Sequence, residues 1–332
     1  MSNEIINTTQ YPEYSAGSIM TTEYVCLFSN MTVAEAFVRI QEVGRDKENI
    51  YTCYVTDNVG KLIGMVSARM LLLTDQESLV GDIMEPHVIS AHILDDQETL
   101  MNNLRKYGFM ALPVVDDDER LVGIFTFDDA FVIQEEEATE DFEKMAAISP
   151  SEEPYLDTGV FTLAKHRLPW LLILMIFATF TGELVATFED SLAALPALIA
   201  FVPMLMNTGG NAGTQSSTLI IRGMALGEIA VSNTLEVLWK ELLVSLVCGA
   251  FLFVTTYASV LFLGEGHSMA ITVCLAVLAT LVMSNIIGSS LTFGAKAMNI
   301  DPAIMAAPLL TSVIDAAALA VYFVLARAIL RI

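Results

Sequence analysis

The chain has 332 residues, of which 54% are hydrophobic, and yet its formal net charge is −23. A mean hydropathy of +0.58 is too high for an ordinary soluble domain. Residues 1–160 hold 30 of the 39 acidic residues and only 9 of the 16 basic ones. The composition therefore predicts an acidic first half joined to an apolar second half. It excludes nucleic acid as a partner, because recognition of phosphate needs Lys and Arg.

Residues 1–14 are predicted to form a short polar N-terminal segment. They lack the basic start and apolar run of a secretory signal, so we expect the acidic half to stay in the cytoplasm. The four cysteines have no paired spacing, which argues against a disulfide framework or a zinc site.

A weak internal repeat runs through the acidic half, where Ile19-Met20-Thr21 recurs as Ile83-Met84-Glu85. Each copy continues with a predicted strand, a helix and two strands. These elements are Tyr24–Phe28, Thr32–Gln41, Tyr51–Thr56 and Leu62–Val66, then Val88–His92, Gln97–Lys106, Leu112–Val115 and Leu121–Phe125. The order β-α-β-β-α, given twice with Gly64 and Gly123 in the last strands, resembles a tandem pair of α/β CBS domains. They would cover residues 15–80 and 81–127.

CBS pairs often hold an adenine nucleotide through a Ser or Thr followed three residues later by Asp. The second copy has this pattern in Thr126 and Asp129, whereas the first has Ser67 but Met70. The resemblance therefore implies one ATP ribose site. An Asp that opens a helix is also an ordinary N-terminal cap, and the sequence leaves both explanations open.

An acidic connecting segment follows at residues 128–160, with one continuous helix predicted to about Ala147. Its i, i+4 pairs Glu136/Glu140 and Glu137/Asp141 carry like charges, each destabilising by about 0.2–0.5 kcal/mol unless neutralised. A bound divalent ion would neutralise them, and an exposed acidic helix is the alternative.

The second half, residues 161–332, is predicted to be an all-α membrane domain in the cell membrane, because a hydrocarbon core needs about 20 apolar residues per helix. The five predicted spans are 168–188, 193–221, 242–263, 270–291 and 303–325. An odd number of spans places the C-terminus outside. Five basic residues fall in segments assigned to the inside, and Arg327 and Arg331 disagree. The five are Lys165, Arg167, Arg222, Lys240 and Lys296.

Two polar features lie within the predicted spans. The first is the glycine-rich stretch 207–218, which indicates either a wet cavity or tight helix packing. The second is Asp315, since a carboxylate in mid-span costs roughly 2.5–3.5 kcal/mol and is expected to mark an ion path. Thr311 lies one turn earlier on the same face. Asn285 is expected to line a cavity or to bond a neighbouring helix, and Glu183 to reach the outer interface.

A single carboxylate with neutral oxygens suits hydrated Mg²⁺, which is usually held through one or two carboxylates with several waters kept. Zinc would require His or Cys, which these spans offer rarely. In a homodimer two copies of Asp315 would meet near the axis, and both would stay ionised only with a cation between them. An inside-negative potential supplies about 4.6 kcal/mol per divalent ion per 100 mV. No P-loop or catalytic residue is found, so a passive, non-enzymatic channel suffices.

Together these residues resemble the MgtE family of magnesium channels. The resemblance is carried by Tyr11–Gly17 with Ile19-Met20-Thr21, by Glu137–Asp141, by Gly209–Ser216, and by Asp301-Pro302-Ala303 followed by Thr311 to Asp315. It implies a homodimer with its pore at the subunit interface and Asp315 as the pore carboxylate. The other implied pore contacts are Gly210, Asn211, Thr214, Thr218 and Thr311. Regulatory Mg²⁺ would be held on the connecting "plug" helix by Asp129, Glu137, Glu140 and Asp141.

The sequence departs from the family pattern in two ways. Members typically begin with a helical domain of over a hundred residues, and here only about fifteen residues precede the first CBS copy. Thr214 and Val132 also stand where some members have Asn and Asp.

Two alternatives remain. One is a divalent-cation exchanger coupled to Na⁺ or H⁺, in which Asp315 would cycle between protonated and bare forms. The other is a nucleotide-sensing CBS regulator whose membrane part is only an anchor.

Overall fold

A computed structural model describes residues 11–151, 153–305 and 307–331, so most of the predicted N-terminal segment 1–14 lies outside the described residues. The chain divides after Ala138 into two compact units. The first is α/β, and the second, within the described residues, is helical.

The first unit contains two three-stranded sheets of the same design. In each, the first strand is parallel to the second and the second is antiparallel to the third. The strands are β1 Tyr24–Phe28, β2 Asn49–Thr56, β3 Leu62–Ser67, β4 Ala91–His92, β5 Ala111–Val115 and β6 Leu121–Thr126. The helices are α1 Ala16–Ile19, α2 Val33–Val43, α3 Ala68–Leu73, α4 Val80–Ile83 and α5 Gln97–Tyr107. The predicted α/β repeat is confirmed. Strand β4 is shorter than predicted, because only Ala91 and His92 pair with β5.

Local sequence signals set the ends of the two longer helices. Thr32 and Glu35 form a capping box at the start of α2, each side chain accepting a hydrogen bond from the other residue's backbone N–H. Asp96 caps α5 by accepting from the backbone N–H of Glu98. Helix α5 ends at Gly108, whose φ of 67° is the left-handed conformation that glycine adopts readily.

The two copies exchange their leading segments. Thr21, which precedes β1, exchanges backbone hydrogen bonds with Ile124 in β6, and Glu85 does the same with Met65 in β3. A Cβ on Gly123 would lie 2.5 Å from Met20 Sδ. Gly64 has the same relation to Met84 Sδ. The glycine of each copy therefore makes room for the methionine that opens the other copy.

Two tyrosines of the first CBS copy donate hydrogen bonds to backbone carbonyls of the second copy. Tyr54 is fully buried and its hydroxyl donates to the Ala111 carbonyl at 3.3 Å, while the Tyr24 hydroxyl donates to the Leu121 carbonyl at 3.1 Å. Burial, with a smaller contribution from the charge of Cys26, raises the pKa of Tyr24 to about 12. Burial also raises the pKa of Tyr54, so both phenols stay neutral hydrogen-bond donors at physiological pH.

Helix α6 spans Phe127–Met145 and links the two units. The helix was predicted to end at about Ala147, and it ends at Met145. The rest of the predicted connecting segment 128–160 therefore follows the helix. Ala147 has a φ of 54°, and the backbone N–H of Ile148 returns to the Glu143 carbonyl at 2.9 Å. This left-handed turn stops the helix.

The second unit is built from helices α7 Val160–Ala186, α8 Glu189–Ala194, α9 Val202–Ala225, α10 Thr234–Phe262, α11 His267–Ala297 and α12 Ala307–Leu330. Among the described helices, four are long and apolar enough to cross a membrane, namely α7, α10, α11 and α12. The second predicted span, 193–221, is instead divided into α8, a 3-10 helix at Pro196–Phe201 and α9. Pro196 and Pro203 each stand at the start of a helical segment, where proline is best tolerated.

Helix α11 forms the centre of the bundle and contacts α9, α10 and α12. In the most apolar 18 residues of α11, 56% of the residues are buried, whereas the share is 11% for the corresponding stretch of α10 and zero for that of α7. The core includes Leu205 of α9, Val273 of α11 and Phe323 of α12. Tyr322 is fully buried and donates to the Leu198 carbonyl at 3.1 Å, which ties the 3-10 helix to α12.

Candidate functional site

Asp315 lies on α12 beside the glycine-rich helix α9. A Cβ placed on Gly210 would be 3.9 Å from Asp315 Oδ1 and 3.1 Å from Thr311 Cγ2. Asp315 and Thr311 are both half-buried, so the chain does not fully enclose either side chain. The Thr311 hydroxyl donates to the Pro308 carbonyl at 3.0 Å. The structure thus brings together three of the predicted pore residues, Gly210, Thr311 and Asp315.

Glycines allow α9 to approach both of its neighbours closely. A Cβ on Gly209 would lie 3.1 Å from Ser284 Oγ of α11 and 3.0 Å from Ile314 Cγ2 of α12. A Cβ on Gly213 would overlap with Ile314 Cδ1. Small residues at such an interface permit backbone contact between membrane helices. The stretch 207–218, singled out for its polarity, is a regular part of α9 whose backbone is satisfied within the helix.

Besides the sides that contact α11 and α12, helix α9 has a side that is exposed and polar. Asn207, Asn211 and Gln215 follow one another at four-residue spacing and are all exposed. Asn211 Nδ2 donates to Asn207 Oδ1 at 3.0 Å. Thr214 and Thr218 lie one and two turns beyond Gly210 and are half-buried. Thr311 and Asp315 lie beside Gly210 of the same helix, and we call these two residues together with Asn207, Asn211 and Gln215 the polar groove.

Thr126 and Asp129, the predicted nucleotide ligands, bond to each other. The Thr126 hydroxyl donates to Asp129 Oδ2 at 2.6 Å, and the backbone N–H of Asp129 points back to Thr126 Oγ1 at 3.4 Å. Thr126 therefore caps α6, and Asp129 is the third residue of the helix, so the cap that the sequence offered to Asp129 as the alternative to ribose binding is made by Thr126 instead. The Thr126 and Asp129 side chains also suit a ribose, because a carboxylate accepts hydrogen bonds from hydroxyl groups.

The acids assigned to regulatory magnesium have separate protein partners. Glu137 Oε1 accepts from Gln97 Nε2 at 2.7 Å, and Glu140 Oε1 is 2.6 Å from Lys144 Nζ. Asp141 is half-buried on the same helix. Within the described ranges, no three His, Cys, Asp or Glu side chains are arranged to hold a metal ion. The described part of the chain thus does not gather these acids into a single site.

Lys144 also reaches Asp301, which precedes α12, with Nζ 2.7 Å from Oδ2. Partial burial lowers the pKa of Lys144, but hydrogen bonds to Asp301 and Glu140 outweigh burial, so its pKa is raised above the ordinary value. The ammonium is therefore held charged between two carboxylates. Because the two partners of this link are 157 residues apart, the sequence gives no direct signal for it.

Asn285 bonds a neighbouring helix, which was one of its two expected roles. Its Nδ2 donates to Glu241 Oε2 of α10 at 3.2 Å. Glu241 was missed because it stands directly before residue 242, where the third span was predicted to begin. The start of α10 at Thr234 places it about two turns inside the helix instead.

The fold and the polar groove define a class: a bundle of apolar helices long enough to cross a membrane, which carries the carboxylate of Asp315 on α12, with a CBS pair ahead of it in the chain. Comparison with known proteins agrees. A family model described as divalent cation transporter, MgtE, matches residues 202–325, and the CBS domain model matches residues 16–75 and 80–134.

Three curated relatives are each named magnesium transporter MgtE. The protein of Thermus thermophilus is 36% identical over 329 residues, covering 99% of this chain and 73% of the relative. That of Bacillus subtilis is 34% identical over 322 residues, covering 97% and 71%. That of Enterococcus faecalis is 32% identical over 328 residues, covering 99% and 72%. The chain belongs to the MgtE family.

Two solved structures are similar to part of the chain, and this chain spans about half of each. The soluble part of a magnesium transporter is 40% identical with a TM-score of 0.40, covering 41% of this chain and 53% of that one. The cytosolic domain of the Mg²⁺ channel MgtE in complex with ATP is 40% identical with a TM-score of 0.38, covering 38% and 51%.

Proposed function

We propose that the chain carries Mg²⁺ passively across the cell membrane, through a pore formed where two copies meet along the polar groove. The observation that carries the proposal is the half-buried carboxylate of Asp315 on an apolar helix, next to Gly210 of α9. An intramembrane carboxylate is expected to face water or a cation rather than lipid. Such a pathway needs no catalytic residue.

The open face of α9 supports a homodimer. Lipid cannot hydrogen-bond the exposed amides of Asn207, Asn211 and Gln215, so this face is covered by water or by protein. A second copy related by a two-fold axis would place the same surface opposite itself. Two copies of Asp315 would then flank one path, and a divalent cation between them would compensate both charges.

The proposed cargo is Mg²⁺ in hydrated form. The three curated relatives are named magnesium transporters, and the groove offers one carboxylate per copy with neutral amide and hydroxyl oxygens around it. Mg²⁺ releases water reluctantly and is commonly bound through one or two carboxylates. Thr214 and Thr218 are assigned to contacts with its water shell further along α9.

We also propose that intracellular Mg²⁺ closes the pathway by binding to the acidic helix α6. Asp129, Glu137, Glu140 and Asp141 are assigned as its ligands. Because one protomer does not bring three of them together in its described part, the bound ions would bridge to acids of other segments or of the second copy. At low Mg²⁺ the unneutralised carboxylates repel one another and favour opening. Chelating intracellular Mg²⁺ should therefore raise the flux.

The CBS pair is proposed to bind one adenine nucleotide, with Thr126 and Asp129 taking the ribose hydroxyls. Titration of the purified protein with a fluorescent ATP analogue tests this assignment. Asp129→Ala should abolish saturable binding. A variant that binds as well as the native chain would leave Asp129 only its hydrogen bond to Thr126 in the first turn of α6.

The proposed topology has the CBS half in the cytoplasm and the C-terminus outside. It requires α9 to cross the membrane as a fifth span, and its 24 residues correspond to about 36 Å of helix, enough for the hydrocarbon core. An alkaline phosphatase fused after Ile332 should be active. Were it inactive while a cytoplasmic reporter is active there, α9 would not cross.

The transport proposal is tested with Asp315→Ala and Asp315→Asn, measured both by rescue of cells starved of magnesium and by Mg²⁺ entry into proteoliposomes. Both variants should lose uptake while remaining in the membrane. Glu183→Gln is the matched control, because Glu183 is an exposed acid on α7. Native flux through Asp315→Ala would contradict the proposal and favour a regulator with a membrane anchor. Flux that collapses with the Na⁺ or H⁺ gradient at constant voltage would favour an exchanger.

A further inference from the structure

Asn207 lies on the polar groove near Asp315, although it is not among the residues predicted from the sequence to contact the ion. It stands three residues before Gly210 and seven before Thr214, and residues at these spacings share one side of a helix. Asp315 Oδ1 is 3.9 Å from a Cβ built on Gly210. The rise of the helix separates Asn207 from Gly210 by only about 4.5 Å. Asn207 is therefore about one turn from the carboxylate, and its side chain is exposed.

The amide of Asn207 is held by its neighbour one turn further along α9. Asn211 Nδ2 donates to Asn207 Oδ1 at 3.0 Å. Helical side chains lean toward the N-terminus, which directs the Asn211 amide back onto Asn207. An amide oxygen has two lone pairs, and this bond uses one of them. The Asn207 oxygen is thus fixed in direction and keeps one lone pair for a donor in the groove.

The water shell of a hydrated Mg²⁺ supplies such donors. Water molecules bound to the ion turn their hydrogens outward, so the shell is recognised by hydrogen-bond acceptors. Those acceptors lie about 5 Å from the ion, because the Mg–O bond is about 2.1 Å and the hydrogen bond about 2.8 Å. The rise of about 4.5 Å between Gly210 and Asn207 is of this size. An ion that keeps its waters beside Asp315 therefore has the Asn207 oxygen within reach of its shell.

We propose that Asn207 is a specificity-determining residue of the pathway, whose amide oxygen binds the water shell of the Mg²⁺ beside Asp315, with Asn211 as its positioning residue. The inference rests on the proposed transport function. A neutral oxygen accepts hydrogen bonds from the shell but competes weakly for the metal itself. Ca²⁺ differs, because it takes about six to eight oxygen ligands and accepts protein oxygens readily in place of water. An amide beside the carboxylate therefore favours an ion that stays hydrated.

Asn, Asp and Leu side chains have similar volumes, so position 207 allows an almost isosteric test. The full-length chain is reconstituted into proteoliposomes, and the initial rate of Mg²⁺ entry is measured against external Mg²⁺ at a fixed voltage. Asn207→Leu removes the oxygen and should raise the half-saturating Mg²⁺ concentration about fivefold or more, as expected for one hydrogen bond lost from each of two copies. The maximal rate should fall far less. Thr179→Val, which removes an exposed hydroxyl of α7, should behave as native.

Asn207→Asp should change the affinity in the opposite direction, and it keeps the test decisive if Asn207→Leu does not fold. It retains an acceptor for the Asn211 amide and adds a second carboxylate per copy. The half-saturating Mg²⁺ concentration should fall. Ca²⁺ should block Mg²⁺ entry at about tenfold lower concentration than in native protein, because two carboxylates per copy bind Ca²⁺ directly. Asn211→Leu frees the Asn207 amide and should raise the half-saturating concentration less than Asn207→Leu does.

The proposal is overturned if Asn207→Leu keeps the native half-saturating concentration, or if it lowers entry by the same factor at every Mg²⁺ concentration, as a packing role would. It is also overturned if Asn207→Asp leaves the sensitivity to Ca²⁺ unchanged. A native response of Asn211→Leu would overturn the positioning role of Asn211. The transport proposal fails separately, through native flux in Asp315→Asn. Native affinity in Asn207→Leu beside an inactive Asp315→Asn would overturn this inference alone.

Discussion

The contact of α9 with α11 predicts opposite effects for the same substitution at two glycines of one helix. A Cβ on Gly288 would lie 2.7 Å from the carbonyl oxygen and 3.3 Å from the carbonyl carbon of Gly213. These are backbone atoms, so the clash is relieved only by moving one helix away from the other. Overpacking of this kind costs about 1–3 kcal/mol. A Cβ on Gly294 meets nothing within 4 Å, and Gly→Ala in a helix then stabilises by roughly 0.5–1 kcal/mol.

Gly288→Ala and Gly294→Ala should therefore differ by about 1.5–4 kcal/mol, which corresponds to midpoints at least roughly 3 °C apart. Trp170 of α7 and Trp239 of α10 are the two tryptophans of the chain, so tryptophan fluorescence during heating reports on the helical unit alone. Mg²⁺ uptake should also fall for Gly288→Ala and stay native for Gly294→Ala. Equal midpoints for the two variants would refute the close approach of α9 to α11.

Three further predictions concern other parts of the chain. Lys144→Met removes the cation shared by Glu140 and Asp301 and should lower the midpoint by about 2–4 °C, with partial recovery in millimolar Mg²⁺; an unchanged midpoint would contradict the link. Burial, with a contribution from the charge of Cys26, raises the pKa of Cys53 to about 12, so maleimide at pH 8 should label Cys53 only after denaturation, as read by mass spectrometry. Tyr54→Phe leaves the Ala111 carbonyl without its donor and should cost about 1–1.5 kcal/mol, seen as faster hydrogen exchange in β5.

The fold could be predicted from the sequence where local patterns set it. The alternation of apolar residues and the turns located the strands of both CBS copies, and uniform apolar runs located α7, α10, α11 and α12. Local patterns do not say which copy a segment joins, so the exchange that brings Met20 onto Gly123 had no signal in the repeat itself. The pairing depends on contacts between residues about a hundred positions apart.

The same limit applies to the candidate site. Asp315 stands out because a carboxylate interrupts an apolar run, and that signal is local. Glu241 and Asp301 gave no such signal, since each stands at the edge of an apolar segment and has its partner, Asn285 or Lys144, on another element. An acid near the predicted start of a helix is interpreted as buried or as solvated according to where the helix is taken to begin. Helix boundaries are the part of a sequence-based prediction that tertiary contacts change most.

Helix α9 is less apolar than the four membrane-spanning candidates because its sequence meets two other requirements, which are close helix packing and a polar face. Gly209 and Gly213 have no side chains, so α11 and α12 can approach α9 closely. Asn207 and Asn211 provide polar groups on the exposed face of α9. A helix of this composition is stable at membrane depth only if protein covers the glycines and water or a second copy covers the amides. The first condition is met within the single chain. The second is what the proposed dimer supplies, so disrupting the dimer should expose the amides of α9 and destabilise α9 before the buried helix α11.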